Sequence, residues 1–216
     1  MPKTSTILIV AGLVCFSCQQ QVKNESNWTS LFNGENLDGW ETYIGPLYNT
    51  VSSGFEGEPV GLNKDPNGVF TVVDVNGEKA MRVSGEQFGG ISTIKDFENY
   101  HLKLEFKWGE NKFAPKDSSK RDSGLLYHAG GPHASDWNFW MRSQEFQIQE
   151  GDCGDFWGVA GGSVKVKVIK NENGDYVYNK DGESMTFNQA SPIGRHAVKD
   201  PDNEKPTGEW NVLELY

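Results

Sequence analysis

Between Arg121 and Val159 the chain runs RDSGLLYHAGGPHASDWNFWMRSQEFQIQEGDCGDFWGV, with polar side chains where a buried strand would carry apolar ones. Glu145-Phe146-Gln147-Ile148-Gln149 alternates strictly. A strand's period of two sends Glu145, Gln147 and Gln149 to one face and Phe146 and Ile148 to the other. One carboxylate followed by two amides, flanked by Trp137, Trp140 and Trp157, is suited to holding hydroxyl groups edge-on while aromatic rings cover the apolar faces of a pyranose. Gln147, Gln149, Trp137, Trp157 and Tyr127 are therefore the candidate substrate-binding residues, and Glu145, His128 and Arg142 the candidate catalytic ones. Arg142 is suited to serve as a fixed donor to a carbonyl or carboxylate, or to stack on an aromatic ring. The same alternation also fits a solvated outer face of an antiparallel sheet, which needs no ligand.

These residues need strands to hold them. The hairpin expected with most reason joins Val69–Val75 to Lys79–Ser84 through Asn76-Gly77, a pair that adopts the positive φ angles of a tight turn. Further strands are expected at Gly90–Ile94, Tyr100–Trp108, Ser123–His128, Val164–Ile169 and Tyr176–Tyr178, the last two bracketing the turn residues Asn171–Asp175. In Tyr100–Trp108, Leu102, Leu104 and Phe106 share one face against Lys103, Glu105 and Lys107. Trp28, Leu31, Phe32, Leu37 and Trp40 are expected in the core. Residues 41–67, rich in Gly, Asn and Pro with little alternation, predict a long loop with at most one short helix or strand, and 191–208 a Pro-rich connection. Arg121 and Asp122 are expected to pair or to shape a turn, and His133, after Gly-Gly-Pro, to be exposed. Gly208 to Tyr216 begins a strand that the chain does not follow with a partner, and the expectation is of an incomplete C-terminus.

At 216 residues one all-β domain suffices. Seven Trp, seven Tyr and twelve Phe among 25 Gly, in short alternating runs between turn signals, favour a sandwich of antiparallel strands over a helical bundle. A formal net charge of -10 argues against a nucleic-acid partner, which requires clustered Lys and Arg. Lys3, the apolar run Ile7–Phe16 and the small residue before Cys18 make residues 1–18 a targeting segment that resembles a lipoprotein signal peptide, with Cys18 the lipidated residue; Cys15 and Phe16 depart from the usual motif, and plain secretory cleavage is the alternative. Residues 19–26 then form a polar tether. The only membrane contact expected is this lipid anchor, at the cell envelope and on the periplasmic side. Cys153 would remain the one thiol of the mature chain, a small hydrophobe rather than a nucleophile.

TSLFNGENLDGW, RDSGLLYH, EFQIQEGDCGDFWG and GEWNVLEL together resemble the 3-keto-disaccharide hydrolase family, across most of 27–216. The resemblance implies a concanavalin-like jelly-roll β-sandwich, further strands after Glu209-Trp210-Asn211, and action on glycosides oxidised at C3. Glucanases of similar fold carry Glu-x-Asp-x-Glu, whereas this chain has Glu145-x-Gln147-x-Gln149. A second carboxylate for ordinary glycoside hydrolysis would have to come from Glu150, Asp152, Asp155 or another strand. In the chemistry the family implies, one base removes the proton at C2, the anomeric substituent leaves by elimination and water adds to the enone. Glu145 or His128 would be the base; Arg142 or a divalent metal would hold the oxyanion. Any metal would draw on His128, Glu145, Glu150 and Asp152, in a spacing that matches no specific metal motif. The competing expectations are a lectin-like carbohydrate-binding module and an inactive truncated product.

Overall fold

The computed structural model describes residues 28–216; the signal-type segment, Cys18 and the tether lie outside the described residues. Trp28 to Ser30 are irregular, and Leu31–Tyr216 form a β unit. In chain order its strands are β1 (Trp40–Ile44), β2 (Leu47–Asn49), β3 (Gly54–Glu56), β4 (Gly61–Leu62), β5 (Phe70–Val75), β6 (Glu78–Val83), β7 (Gly89–Thr93) and β8 (Leu102–Phe106). They continue with β9 (Asp122–Gly130), β10 (Arg142–Gln149), β11 (Phe156–Val159), β12 (Val164–Lys170), β13 (Tyr176–Tyr178), β14 (Glu183–Phe187), β15 (His196–Ala197) and β16 (Asn211–Leu215). All pairings between these strands are antiparallel. The described residues are thus all β, as a β-sandwich requires.

The four-stranded sheet that carries Glu145 has the order β15-β11-β10-β9. Its alternation gives it two unlike faces. On one, Phe156 and Ala197 pack with Val164, Val166 and Val168 of β12 and with Met185 and Phe187 of β14, so the sheet β13-β12-β14 covers that side. Phe146 lies opposite Phe156 and shares that face. The other face carries Glu145 and its neighbours. A second core cluster, Ile44, Val69 and Phe70 with Leu37, Val60 and Ile91, ties the N-terminal strands together.

The β5–β6 hairpin forms with Asn76 at φ 57° and Gly77 at φ 91°, as its turn chemistry predicts. The stretch expected to be a loop is different: residues 41–67 contain most of β1 and all of β2, β3 and β4. β1 is buried on both faces at Thr42, Tyr43 and Ile44, so it shows no alternation, and its partner β7 lies far along the chain. Trp28 is 48% exposed rather than core, while Leu31, Phe32, Leu37 and Trp40 are half-buried. β16 finds its partner upstream in β8, with Leu213 opposite Leu104. The connection after Ser191 contains the two-residue β15.

Candidate active site

Glu145 sits in the middle of a rung that crosses the central sheet: Leu126 on β9, Glu145 on β10, Trp157 on β11 and His196 on β15 are successive partners. Directly opposed residues of an antiparallel sheet share a face, so these four side chains stand together. Gly124, opposite Gln147 on the next rung, makes room for the carboxylate, since a Cβ there would lie 2.0 Å from Glu145 Oε1. Asp122 stands opposite Gln149 one rung further along the same face. Burial raises the Glu145 pKa to about 7, Asp122 and, more weakly, Asp136 add to the rise, and Arg195 opposes it. A carboxylate so placed exchanges a proton near neutral pH, which suits a general base.

Cations and aromatic rings frame it. Arg195 binds Asp136 at 2.9 Å and lies 5.6 Å from the Trp157 ring centre. His196 stacks on Trp157, with ring centres 4.3 Å apart and planes inclined by 16°. Its Nε2 is 2.8 Å from Oδ2 of Asp155, a carboxylate only 4% exposed. The other Asp155 oxygen accepts from the Lys199 backbone N–H at 3.0 Å. Trp157 is thus placed between Glu145 and His196 on the same rung. Trp137 is 75% exposed, next to the Asp136 that Arg195 holds. Gln147 is buried, its Oε1 accepting from the Ile148 N–H, whereas Gln149 is half-buried. Trp140 packs edge-on against Phe88 and alongside Phe139.

The expected convergence of Glu145, His128 and Arg142 does not occur. Arg142 is exposed and an odd number of residues from Glu145, which puts it on the other face of β10. His128 sits at an irregularity of the β9–β10 ladder, with φ 49°, and its ring lies against those of Tyr127 and Tyr100. Tyr127, adjacent to Leu126, belongs to the face away from Glu145; with His128, Tyr100, Asn99, Leu215 and Tyr216 it lines a separate cavity of about 360 Å³.

Glu150 and Asp152 are both engaged in ion pairs. Arg121 and Lys112 both pair with Glu150, and although burial acts the other way, their hydrogen bonds and charge hold its pKa at about 2. Asp152 pairs with Lys120 at 2.7 Å, and Asp122 pairs not with Arg121 but with Lys116, at 2.9 Å. Among the described residues no three His, Cys, Asp or Glu side chains gather as a metal site. Burial, reinforced by Glu204, pushes the Cys153 thiol up to about 11, which leaves it un-ionised at neutral pH. His133, expected in solvent, stacks on Tyr43 and meets Glu41 at 3.0 Å.

Arg195, His196, Asp155 and Asp136 are the members that single-segment inspection passed over in these roles. The one local signal was an Arg-His pair inside an otherwise turn-rich stretch. What these elements define is an antiparallel β domain with a carboxylate, an arginine and a histidine around an aromatic ring on one sheet face. The chain matches the 3-keto-alpha-glucoside-1,2-lyase-like domain over residues 27–216 and belongs to that family, which is one of glycoside-acting domains. No curated protein and no solved structure matches it.

Proposed function

We propose that this domain cleaves small 3-keto-glycosides by elimination and rehydration, with Glu145 as the base that removes the C2 proton. The observation that carries this is the Glu145 carboxylate, seated over Gly124 on a polar sheet face and titrating at about 7. A ketone at C3 acidifies the hydrogen at C2, so one well-placed base and one oxyanion partner suffice. Arg195, the cation that acts on Glu145, takes the oxyanion role expected of Arg142. Trp157 and the exposed Trp137 supply apolar surface for the sugar. The signal-type N-terminus with Cys18 supports export to the cell envelope and a lipid anchor on the periplasmic side.

The test is incubation of the purified protein with 3-keto and unoxidised forms of the same glucoside. Release of the aglycone from the 3-keto form alone is expected, with Glu145→Gln slower by about 10²- to 10⁴-fold. Release from the unoxidised glucoside would replace elimination by two-carboxylate hydrolysis, with Asp122 the neighbouring second group. Binding of either sugar without release would make the domain a lectin-like module.

A further inference from the structure

The Glu145 face carries a second titratable group, a histidine held by a buried carboxylate, that the abstraction step does not use. His196 stands on the same rung as Glu145, two strands away with Trp157 between them. Strands lie about 4.8 Å apart, so the two backbones are separated by about 10 Å. One ring nitrogen, Nε2, is tied to the buried Asp155, and Asp155 is itself fixed by the Lys199 N–H and lies 3.8 Å from Lys199 Nζ. Stacking on Trp157 sets the plane of the imidazole. Nδ1 is the other ring nitrogen of a side chain that is 36% exposed. A carboxylate on one ring nitrogen fixes the orientation of the imidazole and leaves the other nitrogen for proton exchange.

The substrate stereochemistry calls for such a group. In an α-glucoside, the class in the family's description, the C2 hydrogen and the C1 oxygen are both axial and project from opposite faces of the pyranose. A base on one side then needs a proton donor on the other, with the ring between them.

We infer that His196 is a catalytic residue, the acid that protonates the departing glycosidic oxygen, and that Asp155 is its positioning residue. This rests on the elimination proposed above. Glu145 takes the C2 proton, the electron pair forms the C1–C2 double bond as the C1–O bond breaks, and the leaving oxygen takes the Nδ1 proton of the imidazolium. In hydration, water adds its oxygen to C1 and gives a proton to Nδ1, while Glu145 returns its proton to C2. Both groups end as they began, and the net change is addition of one water across the glycosidic bond.

The experiment compares wild type, His196→Gln and Asp155→Asn on two 3-keto-α-glucosides, one with a 4-nitrophenyl and one with a methyl leaving group. Nitrophenolate departs without a proton; methoxide does not. The expected result for His196→Gln is a loss of about 10²- to 10⁴-fold in kcat on the methyl glycoside. On the nitrophenyl glycoside the loss should stay under about tenfold, and Asp155→Asn should show the same selectivity. The ratio between substrates is taken on one preparation, so any shortfall of folded protein cancels. Equal losses on both substrates, or none on the methyl glycoside, would overturn the role of His196 while leaving the elimination intact. A wild type inactive on both would overturn the elimination itself and this role with it.

Discussion

Glu145 lies between influences of opposite sign: burial and Asp122 raise its pKa, and Arg195 lowers it. A base must be deprotonated to act, so kcat/KM on a 3-keto substrate should fall as pH drops below about 7. Asp122→Asn removes a repulsive charge and should move that acidic limb to lower pH. A pH–rate profile of this variant checks it, and an unmoved limb would mean that the titrating group is not Glu145. Some of this arrangement was legible along the strand itself: the period of two placed Glu145, Gln147 and Gln149 together and, applied consistently, it also separates Arg142 from them. The position of His128 was not legible, because a ladder irregularity two residues beyond Leu126 turns it toward Tyr127.

Across the central sheet, the site is a matter of register. Leu126, Glu145, Trp157 and His196 meet only because four strands align at one rung. Gly124 is the element's tightest provision for Glu145, since a Cβ would also lie 2.8 Å from the Glu145 Cδ. Gly124→Ala should therefore displace the carboxylate, a flexible side-chain end, at little cost to the fold. Turnover should drop by at least about tenfold, because small misplacements of a reacting group are costly. Parallel assays of kcat and Tm test this, and full turnover would show that the carboxylate need not occupy that position. Residues 111–120 act at the neighbouring end of the sheet, where Lys112, Lys116 and Lys120 meet Glu150, Asp122 and Asp152 respectively. A polar, Pro-containing excursion read alone gives no hint that its lysines divide among three carboxylates.

For the folded molecule as a whole, the raised pKa of Glu145 is a stability cost with a defined pH window. Its pKa moves from 4.5 to about 7 on folding, so the folded state holds the proton more tightly. Stability linked to this group is fully present below pH 4.5 and is lost as pH rises through about 7. Glu145→Gln abolishes the titration, so the variant should match wild type near pH 4.5 and exceed it by up to about 3 kcal/mol at pH 8. Urea unfolding at the two pH values measures the difference. Equal stabilities at pH 8 would mean that the carboxylate is better solvated than its surroundings indicate. A variant that is more stable and less active is the usual signature of a group held for function rather than for folding.

Local chemistry was enough to establish a β protein: aromatic and β-branched residues in short runs, an Asn-Gly hairpin, and a strand that alternates carboxylate and amide with apolar residues. Those features depend on neighbours within a few positions, and so they survive inspection one segment at a time. The family motifs, spread over most of 27–216, were legible in the same way. Pairing over long separations was not. β1 with β7, β16 with β8, and β15 beside β11 are formed by residues tens of positions apart, and burial on both faces or a length of two residues removes the periodic signal. Because Arg195 and His196 come to the Glu145 side of the sheet only through such pairing, the chain order could name the carboxylate, but folding had to bring the cation and the imidazole to its face.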